Sequence, residues 1–245
     1  NIPEIKEGIK EGIIVGVETN LCRDHANTHG GDMTPEKLAK SAEDSAKKYG
    51  IVVKILEEKE MRKLGMGGII GVAQGSEEKP KLIVLEYFRG PKGQKPLVLV
   101  GKGVTFDTGG LNLKPENYIY EMHMDMSGGA AVIHGIAAIA RLKLSVNIVG
   151  LVPAVENMPS GSSYRPGDVL KTMSGKTIEV LNTDAEGRVI LSDALFYGAT
   201  KYNPGFMMDF ATLTGAAHVA LGNYVSALFT NREKLTDALE GVGKK

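Results

Sequence analysis

Ile2, Ile5, Ile9, Ile13, Val17 and Leu21 recur every three or four residues, so the chain opens on a predicted helix with one apolar stripe. A polar loop over 27–32 ends it. A second helix is predicted from Thr34, where Thr-Pro-Glu supplies an N-cap, a first-turn proline and an early acid. Leu38, Ala42, Ala46 and Tyr49 form its inner face. Residues 51–56 read as a strand, 57–64 as a short helix, and the glycine-rich 65–75 as a helix packed closely on a sheet. Strands follow at 81–88 and 96–100, separated by a Gly/Pro turn. The run Val98-Leu-Val100 is continuously apolar, as expected of a strand covered on both faces. Residues 101–114 read as a loop, 126–142 as a helix of small residues, 145–152 as a strand and 167–182 as a hairpin turning at Ser174-Gly175. A helix at 189–200, a strand at 206–210, a short apolar helix after 212–215 and a helical tail at 232–239 complete the pattern. Strands alternating with helices predict an α/β sheet with helices on both faces. No internal repeat is visible.

The 245 residues can bury a sizeable core. Lys plus Arg and Asp plus Glu each number 29, and this zero balance counts against a dedicated nucleic-acid binder. No apolar run reaches the ~18–20 residues that span a membrane. The single cysteine, Cys22, excludes an intramolecular disulfide framework and a Cys-based zinc ribbon, and reads as a small core residue. The five histidines are too scattered for a His-rich metal site. The 31 glycines ask for tight loops and close backbone approaches. The start at Asn1-Ile-Pro shows no secretory pattern and no initiator Met, as expected of a piece or a processed chain.

Two clusters carry candidate chemistry. Val100-Gly-Lys-Gly-Val-Thr-Phe-Asp-Thr-Gly-Gly110, continuing to Lys114-Pro115, sets Lys102, Asp107 and Lys114 just after a buried strand. Charged residues at the carboxyl ends of strands are where open α/β sheets build their sites. Asn182-Thr-Asp-Ala-Glu-Gly-Arg188 follows a second apolar strand, and if extended it would point Asp184, Glu186 and Arg188 the same way. Asp125 lies between the clusters at the start of a helix. Four carboxylates gathered at strand ends repel one another, and a pair of divalent ions resolves that; hard oxygen ligands suit Mg²⁺, Mn²⁺ or Zn²⁺. A single loop Asp is more often a turn or capping residue. Gly175-Lys-Thr177 lacks the leading glycine of a phosphate loop, with Leu170 in its place.

These motifs resemble the leucyl aminopeptidase family, the M17 or cytosol aminopeptidases. Pro153-Ala-Val-Glu-Asn-Met158 and Ala211-Thr-Leu-Thr-Gly-Ala216 extend the likeness, which runs from about residue 11 to the end. The resemblance implies a three-layer α/β/α mixed sheet flanked by helices, of the zinc-peptidase, phosphorylase/hydrolase-like kind, incomplete at its C-terminal end. It implies a linker helix and loop over 1–33, a partial catalytic domain over 34–245, and the family's N-terminal macro-like domain missing. Lys102, Asp107, Asp125, Asp184 and Glu186 match the metal ligands, and Lys114 and Arg188 the catalytic pair. Met122, Asn182, Thr212, Leu213 and Gly215 match positions near the substrate.

The implied cofactors are two divalent ions, Mn²⁺ or Zn²⁺ with Mg²⁺ or Co²⁺ as alternatives, and bicarbonate at Arg188. The implied activity is release of N-terminal residues, Leu-type preferred, from peptides with a free N-terminus, by a cytoplasmic homo-oligomer, a hexamer in the intact parent. No membrane partner is implied. Residues 27–32 depart from the family's Asn-x-Pro-rich pattern. The competing expectation is a non-catalytic binding or assembly protein on the same fold, inactive because truncated.

Overall fold

The computed structural model describes residues 2–243, so the outer limits of the expected linker and catalytic segments, at 1 and 245, lie outside the described residues. The chain divides into two units, 2–212 and 213–243 as described here, and each is treated by itself.

The first unit is built on a mixed sheet of β1 (Val52–Glu57), β2 (Lys81–Phe88), β3 (Leu97–Gly101), β4 (Gly103–Asp107), β5 (Asn147–Asn157) and β8 (Phe206–Phe210). The order is β1-β2-β5-β3-β8, with β4 also pairing to β5. β1–β2 and β2–β5 pair antiparallel, whereas β5 pairs parallel with β3 and β4, and β3 parallel with β8. Two further strands, β6 (Val169–Lys171) and β7 (Thr177–Glu179), make the expected hairpin.

Helices α1 (Ile2–Asn27), α2 (Pro35–Tyr49) and α6 (Ser127–Arg141) belong to one layer. Leu38, Ala42, Met126, Ile133 and Ile136 pack there against Ile83, Leu85 and Val152. Helices α4 (Gly67–Ala73) and α7 (Glu186–Tyr202) belong to the other layer, with α3 (Glu58–Lys63) beside α4. Thr34 caps α2 as expected, accepting a bond from the Lys37 amide at 3.2 Å. The chain is therefore an α/β protein with its sheet between helices.

Three expectations change. Residues 101–114 are not all loop: β3 resumes as β4 along the same partner, β5, after a break at Lys102. β5 also runs five residues past the expected end, because Pro153 falls in the gap between the β3 and β4 registers, where its missing N–H costs no ladder bond on that side. The apolar stripe of α1 faces outward: Ile2, Ile5, Ile9 and Ile13 are each more than half exposed, and the buried positions are Ile14 and Glu18. Cys22 lies on that inner side, against the core.

The second unit holds α8 (Gly215–Leu221) and α9 (Glu233–Gly243), and its Val219, Tyr224 and Phe229 are exposed. A short helix α5 (Glu116–Ile119) belongs to the first unit.

Glycine spacing along α6 sets how near that helix comes to the sheet. A Cβ on Gly128 would stand 2.0 Å from the Phe210 carbonyl oxygen, and one on Gly101 2.4 Å from the Gly128 oxygen. Gly135, on the exposed side of the same helix, meets nothing within 4 Å. Gly135→Ala should therefore raise stability by up to about 1 kcal/mol, the helix-propensity gain. Gly128→Ala should lower it by several times that, because backbone must shift. Urea unfolding of the two variants measures both.

Candidate active site

The break between β3 and β4 aims Lys102 inward. Its amide donates to the Phe210 oxygen at 2.9 Å, and its own oxygen accepts from the Gly129 amide at 2.7 Å. The buried side chain then reaches Asp125, at the C-cap of a short 3₁₀ turn, and Glu186, the first residue of α7. Lys102 Nζ lies 2.8 Å from Asp125 Oδ1, 2.7 Å from Asp125 Oδ2 and 2.8 Å from Glu186 Oε1. It also donates to the Thr212 oxygen at 2.9 Å, while the Thr212 hydroxyl donates to Asp125 Oδ1 at 2.6 Å.

A second lysine bridges the other pair. Lys114 Nζ lies 2.9 Å from Asp107 Oδ2 and 2.5 Å from Asp184 Oδ1. Asp107 closes β4, and its Oδ1 accepts from the Gly109 amide at 2.9 Å. Gly109 has φ +87°, and a Cβ there would press to 2.9 Å from Asp184 Oδ1, so a glycine is required.

Asp107, Asp125 and Glu186 are all buried and each offers an oxygen within 4.8 Å of the others. The two lysines leave two of the four negative charges uncompensated. Burial raises the carboxyl of Asp125 to about 6 and that of Glu186 to about 7; Lys102 opposes the rise, and Asp107 adds to it through repulsion. Burial presses both ammoniums the other way, but the carboxylates outweigh it and hold Lys102 and Lys114 above the ordinary lysine range. Among the described residues, the buried side-chain oxygens and nitrogens without a hydrogen bond are Asp125 Oδ2, Asn157 Oδ1, Asp184 Oδ1 and Glu186 Oε2. All four belong to this site. Two touch a lysine electrostatically, whereas Glu186 Oε2 has no such contact. Orphaned carboxylate oxygens around a surplus of negative charge fit divalent-cation ligation.

The remaining candidates divide. Residues 182–188 are not extended: Thr183–Ala185 is a 3₁₀ turn running into α7, so the expected alternation fails, and Arg188 is exposed on the helix. Asn182 is exposed and caps that turn, its Oδ1 accepting from the Asp184 amide at 2.8 Å. Met122 is half-buried in the turn before Asp125. Leu213 and Gly215 lie in the second unit.

Two residues without an expected role join the two loops. Asn157, wholly buried at the end of β5, donates from Nδ2 to Asp107 Oδ1 at 2.8 Å and to the Thr183 oxygen at 3.0 Å. The Thr183 hydroxyl donates to the Gly109 oxygen at 2.6 Å, and the Tyr164 hydroxyl donates to the Thr183 oxygen at 2.6 Å. The legible signal was a polar Glu156-Asn157 closing the apolar run 148–155.

A family model described as the cytosol aminopeptidase family, catalytic domain, matches residues 20–245. The chain belongs to that family. Among its relatives, a probable cytosol aminopeptidase of Chlorobaculum tepidum is 50% identical over 98% of this chain and 48% of its own length. One from Methylobacillus flagellatus is 48% identical over 100% and 49%. This family member thus spans about half the length of the curated relatives it matches. Its fold superposes on Trypanosoma brucei leucyl aminopeptidase in complex with bestatin with a TM-score of 0.92, at 36% identity over 96% of this chain and 46% of that one. A TM-score of 0.91 relates it to the bottromycin maturation enzyme BotP in complex with Mn, at 37% identity over 98% and 52%.

If the carboxylates are a cation site, Mn²⁺ at a hundred times its Kd should stabilise the folded chain by about 2.7 kcal/mol, read as a higher Tm that EDTA reverses. Glu186→Gln should lose most of that gain, and Arg188→Ala, being exposed, should keep it. An unchanged Tm at saturating Mn²⁺ counts against the site.

Proposed function

We propose that this site hydrolyses the first peptide bond of substrates with a free N-terminus, with divalent cations held by Asp107, Asp125, Asp184 and Glu186, and by Lys102 once a cation displaces its proton. The observation that carries the reading is the buried trio Asp107, Asp125 and Glu186, with two lysines among them, in a chain of the cytosol aminopeptidase family. The bound ions, Mn²⁺ or Zn²⁺, would supply an acidified water and Lewis-acid polarisation of the scissile carbonyl.

The protein's own groups supply the rest. Lys114 is held firmly cationic by Asp107 and Asp184, the state needed to stabilise negative charge growing on the carbonyl oxygen. Thr212 fixes Asp125 by donating to its Oδ1, while Oδ2, paired with Lys102, is the oxygen that would turn to the substrate's ammonium or amine. A guanidinium is unsuited to act as the base; the exposed one of Arg188 suits an anion such as bicarbonate, able to carry the proton in its place. Met122 and Asn182 would flank an apolar, Leu-type side chain.

On this reading residues 34–245 are part of a catalytic domain, and 1–33 are the helix and loop leading into it. The intact protein would be a cytoplasmic homo-oligomer, a hexamer by family likeness, acting on peptides.

Release of leucine from Leu-amide should require Mn²⁺ and stop with EDTA. Lys114→Ala should lower kcat by at least about a hundredfold, the cost of one donor to a developing oxyanion, with metal binding retained. Metal bound without turnover, both in this chain and in one completed to the length of its relatives, would leave a binding protein and overturn the proposal.

A further inference from the structure

Away from the carboxylate site, three helices of the first unit meet in one polar chain. Glu18 and His25 lie on α1, Ser41 on α2, and His134 and Arg141 on α6. Glu18 and His134 are buried, and His25 and Ser41 are half-buried. Glu18 Oε1 accepts from Arg141 Nη1 at 2.6 Å, and Glu18 Oε2 lies 2.8 Å from His134 Nδ1. His134 Nε2 lies 2.8 Å from His25 Nδ1, and His25 Nε2 lies 2.8 Å from the Ser41 hydroxyl.

With both imidazoles neutral, one direction of donation satisfies every link. An acceptor-only carboxylate requires the proton on His134 Nδ1, so His134 Nε2 accepts and His25 Nδ1 donates to it. His25 Nε2 then accepts from Ser41. This wiring holds with both imidazoles neutral. One added proton is still bonded at every link, with His25 Nε2 donating to Ser41 and the proton between the rings held on either imidazole. A further proton on His134 Nε2 sets two N–H groups against each other at 2.8 Å.

We propose that the Ser41–His25–His134–Glu18 chain is an acid-sensitive latch, which fastens α1 to α2 and α6 while its imidazoles are neutral and loosens as they take up protons. The charged neighbours of His25 are mixed: Asp24 on α1 favours its protonation, whereas Lys37 on α2 and His134 on α6 oppose it. Glu18 is already engaged by Arg141, which itself lies over the Tyr49 ring at 5.2 Å. Burial, then the facing His134, holds His25 well down, at about 4 against an ordinary 6.5.

The sign follows from that depression. The undocked helix takes up a proton below about pH 6.5, and the docked one resists until about pH 4, so docking weakens as pH falls through that window. Besides this chain, α1 is held by its packing along α6, where Ile14 is buried and Cys22 meets the core. Its apolar stripe is exposed, and its buried positions are Ile14 and Glu18.

Hydrogen exchange of α1 amides, followed by peptide mass spectrometry and corrected for the intrinsic pH effect, tests the latch. From pH 7 to pH 5 the opening constant over 17–27 should rise at least about tenfold more than that of β5, a value discounted for the partial exposure of His25. His25→Gln, which bonds without titrating, should flatten that dependence. Should His25→Gln not fold, Ser41→Ala should shallow it, because losing the hydroxyl donor removes one preference for neutral His25. An α1 that opens no more than β5 in acid, or an undiminished slope in whichever variant folds, overturns the proposal.

Discussion

Four carboxylates and two ammoniums share one end of the sheet, most of them out of contact with water, and the local architecture answers to that charge balance. Isolated buried charges would cost several kcal/mol each. The chain therefore brings them together in pairs, Lys102 between Asp125 and Glu186, and Lys114 between Asp107 and Asp184. Pairing is incomplete by two negative charges, and burial, aided by repulsion from Asp107, raises the carboxyls of Asp125 and Glu186. A fold optimised for stability alone would have replaced such a cluster with apolar side chains. The orphaned oxygens within it accord with the cation site proposed above.

Holding the pairs in register takes more than the charges themselves. Lys102 occupies the single irregular position between β3 and β4, flanked by Gly101 and Gly103, where the backbones of α6 and β5 approach too closely for a Cβ. Asn157 and Thr183 then join the loop bearing Asp107 to the turn bearing Asp184 and Glu186, through neutral hydrogen bonds. Neutral donors suit this task. They fix Oδ1 of Asp107 without adding to the charge that the site must balance, while Oδ2 pairs with Lys114.

Much of this was legible in the sequence. Strand-then-charge patterning located Lys102, Asp107, Lys114, Asp184 and Glu186, and a helix start located Asp125; the structure brings these six together and leaves Arg188 exposed. Element types were legible wherever periodicity was strong, as at 81–88 and in α2. What escaped is what periodicity cannot encode. The resumption of β3 as β4 depends on β5 being present to pair with, and the glycines beside Lys102 look like loop residues when read alone. The 3₁₀ turn at Thr183–Ala185 replaced an expected extended run because Asn182 caps it and Thr183 is held by Asn112 from the other loop. Asn157 carried no periodic signal, being one polar residue at a strand end.

Helix α1 shows the same gap from the other side. Its clearest pattern, the isoleucine stripe, points to solvent in the described chain, while its buried face centres on a glutamate and, toward the C-terminal end, a histidine. Hydrophobic periodicity identifies a helix but does not say which surface meets which neighbour. Glu18 is tolerated inside because Arg141 and His134 satisfy both of its oxygens, and His134 because His25 accounts for its second nitrogen. Each member is acceptable only in the company of the next. Histidines far apart in sequence carry no such message until the helices that bear them are placed side by side. A buried polar chain of this kind is directional where an apolar contact is not, so it fixes the rotation of α1 as well as its attachment. That rotation is what leaves the isoleucines outward.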